Sequence, residues 1–339
     1  MTTIRDIAVK TGVSVATVSR VLHGYPDVHE TTRLKVQKVI AELGYSPGAL
    51  SRSQMLARSY AIGVFYFAGK HGELTHPFFQ DVLDAFKQNT GEAGYDLLFF
   101  SVNSPTSDKE HFEVRSKLRR VDGLLLASVS RMDERAASLC VSQIPSMSID
   151  FDMVGARAGY ISSDNLGGAR LATEYLITLG HRDIAFIGDQ FNTKPGHDRL
   201  IGFQQSLQSH HLPFSPDWVL NGDFSTEGGY KAAEMLIHQP HRPTAIFCAG
   251  DLMAIGAMQA IRDAGLEVGA DLSVIGFDDI AAASLVTPSL TTIRQDRRQI
   301  GQLAAEHLVA MIDNPNCVPP VVTVPTELVL RSSVKSPRK

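Results

Sequence analysis

From residue 61 to about residue 330, short apolar runs alternate with longer amphipathic stretches, and this alternation constrains the fold more than any other feature. The runs at 61–67, 96–100, 121–127 and 145–150 are dense in aliphatic and aromatic residues, as expected of strands buried on both faces. After 160–163 the pattern repeats at 184–188, 218–223, 245–249 and 273–277. Repeated strand–helix units predict parallel sheets with helices on both faces, and two such series predict two lobes. The segments 290–294 and 321–330 are expected to cross back and complete the sheets. In such folds ligands lie beyond the carboxyl ends of the strands, which here means a cleft between lobes.

Residues 1–60 follow a helical period instead. Thr3 is placed to cap a helix whose first turn carries Asp6, and Ile4, Ile7 and Ala8 form one apolar stripe. Gly12 ends that helix, and Ser14 caps a second at 15–23, where Val18, Val21 and Leu22 turn inward and Val15, Ala16, Thr17 and Arg20 outward. A third helix is expected at 30–43, with Leu34, Ile40 and Leu43 among its inward residues and Gly44 as its stop. This is helix-turn-helix architecture, whose second helix enters the major groove by its N-terminal end. There Arg20 can contact guanine bidentately, worth about 1–3 kcal/mol of discrimination, while Ser14, Thr17 and the first-turn amides suit phosphates. The net charge of −4 divides accordingly: residues 1–60 carry eight Lys/Arg against four acids, and the remainder is strongly acidic. Spacing alone fits a three-helix packing module equally well.

The literal residues narrow this. Thr3-Ile4-Arg5-Asp6-Ile7-Ala8 followed by Gly12-Val13-Ser14-Val15-Ala16-Thr17-Val18-Ser19-Arg20-Val21-Leu22 resembles the head of the lactose/galactose repressor family of bacterial transcriptional regulators. The body resembles it too, through Val121-Asp122-Gly123-Leu124, Ser163-Asp164-Asn165, Gly180-His181-Arg182 and Ile275-Gly276-Phe277-Asp278-Asp279. The resemblance implies an α/β chain: a three-helix helix-turn-helix head (1–46), a hinge (47–60) and a two-lobed, periplasmic-binding-protein-like body with parallel sheets (61–339). Its lobes would take about 61–162 with 294–324, and 163–293 with 325–332. The family is also implied to bind double-stranded operator DNA as a homodimer under control of a small-molecule effector.

DNA contacts implied by the resemblance are Thr3, Ser14, Val15, Ala16, Thr17, Arg20 and Tyr45, with Arg52, Gln54 and Met55 from a hinge that enters the minor groove. Gln54 departs from the family's usual leucine wedge, so Met55 or Leu56 takes that role or the operator is less sharply kinked; the alternative for this segment is a plain flexible linker. Implied effector contacts are Phe78, Phe79, Asp150, Arg199, Phe224, Asp251 and Asp278. Arg199 with Asp278 reads alternatively as an interlobe ion pair, Phe79 as core, and Asp150 and Asp251 as helix caps. Ala127 and Gly250 stand where the family has polar contacts, which weakens the case for a lactose-type polyol network. The effector class stays open between a sugar or glycoside and a nucleobase.

Other chemistries fit poorly. Ser163-Asp164-Asn165 lacks the partner motifs of a serine acylase, and Asp164 reads better as the cap of a helix at 165–179. Gly167-Gly168 lacks a phosphate-loop Lys, and His210-His211 lacks a carboxylate at ligand spacing. No nucleophile and base are coupled, so an enzyme, a cofactor and a metal site are not expected. Three scattered cysteines argue against a disulfide framework. With no apolar leader core and no membrane-length apolar run, the expectation is a cytoplasmic protein, and without C-terminal leucine heptads a dimer. The competing class is a cytoplasmic solute-binding protein whose head only mediates association.

Overall fold

The computed structural model describes residues 3–22, 25–45, 58–67, 74–101, 112–189 and 191–338. They fall into two compact units, one up to Tyr60 and one from Ala61 onward.

In the first unit Thr3 caps α1 (Ile4–Thr11). The Asp6 amide donates to the Thr3 hydroxyl, and the Asp6 carboxylate accepts from the Thr3 amide at 2.7 Å, so two donors at the helix end are satisfied reciprocally. Gly12 ends the helix with φ 67°, a left-handed conformation that costs a glycine little. α2 (Val15–Leu22) and α3 (Glu30–Glu42) follow. The core is Ile7, Ala8, Val18, Val21, Val36 and Val39, with Ile40 and Leu43 packed against it. Leu34, expected inward, is 59% exposed. The inward stripe of α3 is Val36, Val39, Ile40 and Leu43. At 3.6 residues per turn Leu34 lies about 200° around the helix from Val36, on the opposite face.

The second unit holds two six-stranded sheets. The first takes β1 (Ala61–Tyr66), β2 (Asp96–Phe100), β3 (Gly123–Ala127), β4 (Ser146–Ile149), β5 (Ala158–Ser163) and β11 (Val321–Val324), in the order β11-β5-β4-β3-β1-β2 and parallel throughout. The second takes β6 (Ile184–Gly188), β7 (Val219–Asn221), β8 (Ala245–Cys248), β9 (Ser273–Asp278), β10 (Thr291–Gln295) and β12 (Thr326–Val329). Its order is β12-β10-β9-β8-β6-β7, and only β12 runs antiparallel. The run expected at 321–330 is thus two short strands, one in each sheet.

Alternation along the strands of the first sheet feeds two cores. Ile62, Val64, Leu125 and Met147 face helices Pro77–Glu92 and Arg297–Asp313, while Phe65, Leu124 and Leu126 pack with Phe112 and Leu139 on the other side. Each such side chain contributes about 1.5–3 kcal/mol on burial. Helices Pro77–Glu92 and Arg297–Asp313 touch backbone to side-chain position: a Cβ on Gly301 would stand 2.2 Å from the Val82 carbonyl. β2 was expected to be buried on both faces, yet Leu98 and Phe99 are 37% and 46% exposed, because β2 is an edge strand. The chain passes between the sheets at 163–165, 295–297 and 324–326. At the first passage Asp164 accepts from the Gly167 amide at 2.8 Å, the cap expected there. Among the described residues no helix is long and apolar enough to cross a membrane.

Candidate functional site

On the head, the turn after Gly12 presents the start of α2. Ser14 accepts from the Thr17 amide at 3.0 Å and its hydroxyl meets that of Thr17 at 2.8 Å, which fixes the first turn. With Val18 and Val21 buried, Ser14, Val15, Ala16 and Arg20 are exposed and Thr17 is half-buried, so the expected reading face is presented. Arg20 is engaged: its Nε donates to Asp27 Oδ1 at 3.3 Å, Nη2 pairs with Oδ2, and its guanidinium lies 5.3 Å from the Tyr25 ring centroid. Asp27 is a partner that helical spacing did not reveal, because it lies seven residues on, beyond the end of α2. Thr3 is exposed and committed to the α1 cap, and Tyr45 is half-buried against the three-helix core. Arg52, Gln54 and Met55, with the rest of the expected hinge at 46–57, lie outside the described residues.

In the second unit a cleft of about 770 Å³ lies between the two sheets. Its walls come from the carboxyl ends of strands: Tyr66 at the end of β1, Ser128 after β3, Asp150 after β4, Asp189 after β6, Phe224 after β7, Asp278 at the end of β9 and Gln295 at the end of β10. His76, Phe78 and Phe79 enter from the start of helix Pro77–Glu92, and Arg199 from helix Lys194–Ser209, whose first turn Thr193 caps at 3.1 Å. Ser128, Asp150, Asp223, Phe224 and Asp278 all have positive φ, between 47° and 123°, although none is glycine. Such backbone costs of order 1–3 kcal/mol per residue, and a ring of it around one cavity marks positions where the side chain is wanted in spite of strain.

Arg199 is 2% exposed. Its Nε donates to Asn165 Oδ1 at 2.8 Å, its Nη1 to the Ala249 carbonyl at 2.6 Å, and its face lies 3.7 Å from the Phe277 centroid. Asp278 Oδ1 accepts from Gln295 Nε2 at 2.6 Å and stands 3.7 Å from Arg199 Nη1. Arg297 ties this corner to the first sheet, donating to the Asp278 carbonyl at 2.9 Å and pairing with Asp81 at 2.9 Å. Asp278 Oδ2, Asp150 Oδ1, Gln295 Oε1, His76 Nδ1 and the Tyr66 hydroxyl are buried without a partner. Burial pushes Asp150 up to about 6, with Arg199 opposing, raises Asp278 against the same arginine, and lowers His76. Across the mouth the Arg131 amide donates to the Asn192 carbonyl at 2.8 Å, and Lys194 pairs with Asp152 at 3.2 Å.

The structure therefore brings Phe78, Phe79, Asp150, Arg199, Phe224 and Asp278 to one cavity. Phe79 stands in its wall, edge-on to Tyr66 and Phe78. Asp251 does not line it. One carboxylate oxygen accepts from the Ile280 amide at 2.9 Å and the other from the Thr292 hydroxyl at 2.5 Å, so this fully buried acid braces β10 and the turn after β9 instead of meeting a ligand. Gln295, Tyr66 and His76 were missed. The rule that places ligands at strand ends pointed to the first two; His76, in a loop before Pro77, gave no signal of its own.

Residues 3–48 match the family model described as bacterial regulatory proteins, lacI family, and residues 173–334 match the periplasmic binding protein-like domain. The HTH-type transcriptional repressor PurR of Serratia proteamaculans (strain 568) is 35% identical over 338 residues, 98% of this chain and 97% of its own length. The chain belongs to the lacI family of bacterial regulatory proteins. A lacI-family chain with this head is a DNA-binding transcriptional repressor. The PurR of Yersinia pestis (strain Pestoides F) is 36% identical over the same span. Among solved structures, the lac repressor dimer bound to operator and the anti-inducer ONPF is 29% identical with a TM-score of 0.81, covering 98% of this chain and 99% of that one. The transcriptional regulator CelR in complex with cellobiose is 29% identical with a TM-score of 0.74, covering 98% and 100%.

Proposed function

We propose that this repressor binds a pseudopalindromic operator as a homodimer and that a small molecule in the cleft, a sugar, a glycoside or a nucleobase, switches its affinity for DNA. The observation that carries the reading is the ring of buried polar atoms without partners around the cleft, since such atoms cost free energy until a ligand meets them. The similar lac repressor holds operator and ONPF together, and CelR holds cellobiose. The α2 face offers Arg20 for base edges, Val15 and Ala16 for apolar contact, and Ser14 and Thr17 for phosphates. Thr3 and Tyr45 are assigned further contacts to the operator backbone, and Arg52, Gln54 and Met55 to the minor groove at the operator centre. Exposed Leu98 and Phe99 on edge strand β2 give a second copy an apolar strip to cover. The protein acts in the cytoplasm, where the chromosome is, and carries out no covalent chemistry. We divide the body into lobes of about 61–162 with 294–324 and about 163–293 with 325–332, behind a head of 1–46 and a hinge of 47–60.

The test is a thermal-shift screen of sugars, glycosides and nucleobases on the full-length protein, followed by fluorescence anisotropy on an operator selected from random DNA. A ligand that stabilises the protein is expected to change operator affinity at least tenfold, about 1.4 kcal/mol of coupling. Steep loss of operator binding with added salt is expected as well. A stabilising ligand that leaves operator affinity unchanged would sink the effector role.

A further inference from the structure

The cleft is acceptor-rich. Among the described residues lining it, six carboxylates stand against two guanidiniums. Arg135 is paired with Asp133 at 2.6 Å, and Arg199, held by Asn165, the Ala249 carbonyl and the Phe277 ring, stands 3.7 Å from Asp278 and is the one guanidinium facing both Asp278 and Asp150. Two of the acids, Asp150 and Asp278, are more than nine-tenths buried and each keeps an oxygen without a partner. Asn165 Nδ2, on the Asp150 side, falls outside hydrogen-bonding geometry. Gln295 Oε1 adds a third bare acceptor.

Hydroxyl donors would satisfy these oxygens one by one but would leave two buried acids sharing one guanidinium. Buried charge that is only half matched is costly, and an anionic ligand would add to it. The remaining wall is aromatic, with Phe78, Phe79 and Phe224. Ring faces attract cations, the more so when water is excluded. We propose that the cleft takes an organic cation, a small molecule whose protonated amine or amidine meets Asp150 and Asp278 against these rings, and that it rejects anions. The inference rests on reading the cleft as the effector site and names the class of effector. Burial raises both carboxyls although Arg199 opposes the rise at each, so one guanidinium does not offset the two buried acids.

Two matched sets of probes test this on the full-length protein at millimolar concentration: glucosamine, glucose and glucuronate, and benzylamine, benzyl alcohol and benzoate. At tenfold excess over its Kd a ligand adds about 1.4 kcal/mol, a rise in Tm of roughly 3 °C for a body of this size. The amine of at least one set is expected to give such a rise while its alcohol and carboxylate counterparts do not. Asp150→Asn, with folding checked by circular dichroism, is expected to abolish that rise. Equal stabilisation by an alcohol or carboxylate, no shift with either amine, or a full amine shift in D150N overturns the proposal. Operator binding separates this from the parent reading. An amine that stabilises without altering operator affinity supports the cation site and sinks the effector role. A neutral ligand that alters operator affinity does the reverse.

Discussion

In the head, Ser14, Val15, Ala16, Thr17 and Arg20, proposed above to meet DNA, stand on a single turn and helix and are exposed or half-buried. In the cleft, Asp150, Arg199, Asp278 and Gln295 are more than nine-tenths buried and come from four separate elements. The head holds its reading face by local means, the Ser14 cap and the buried Val18 and Val21, so its outward residues can change at little cost to folding. The cleft instead concentrates like charge, unsatisfied acceptors and positive-φ backbone in one place. Its residues are therefore tied to the stability of the body as well as to the proposed ligand.

The largest test of that contrast is Arg199→Ala. It removes the guanidinium that faces Asp150 and Asp278 and strands Asn165 Oδ1 and the Ala249 carbonyl, at an expected cost of about 3–5 kcal/mol in urea unfolding. A loss below 1 kcal/mol would show that the cleft network contributes little to the body. Asp150→Asn should act in the opposite direction. The carboxyl of Asp150, at about 6 against an ordinary 3.8, takes up its proton more readily folded than unfolded. Its favourable contribution is therefore full below about pH 4 and is lost as pH rises through 6. Asparagine keeps the shape, tolerates φ 58°, and removes the penalty. Unfolding at pH 8 should become harder by up to about 3 kcal/mol, with the gain vanishing near pH 4; an equal gain at both pH values would contradict this.

On the head the effects are smaller and appear in binding. Arg20→Ala should lose about 1–3 kcal/mol at the operator and little on random DNA, so equal losses on both would remove its base-reading role. Ser14→Ala should lower the stability of the head by about 1 kcal/mol through its lost cap, visible in the helical signal of the isolated head. Asp27→Asn frees Arg20 from a half-exposed ion pair worth at most about 1 kcal/mol, and operator affinity should rise slightly, with an equal or steeper dependence on salt. A fall in affinity would mean that Asp27 orients Arg20 for DNA.

Much of this was legible because it is local. Thr3, Gly12, Ser14, Gly44 and Asp164 mark helix ends whose geometry depends on residues within four positions. The strand runs were read from hydrophobicity, which reports burial without saying where. That is why β2 seemed central and is an edge, and why Leu34 seemed inward.

By itself, then, the sequence determined the order of elements, the two βα series and the outward face of α2, each set by spacing along the chain, and through its literal residues the family. The tertiary structure decided who meets whom. It bound Asp251 to Ile280 and Thr292, set Asp27 against Arg20, and gathered Tyr66, His76, Asp150, Asp278 and Gln295 around one cavity. The physical reason is that a periodic pattern fixes which face a side chain takes. The partner of a buried charge depends on elements brought together only when both sheets have formed.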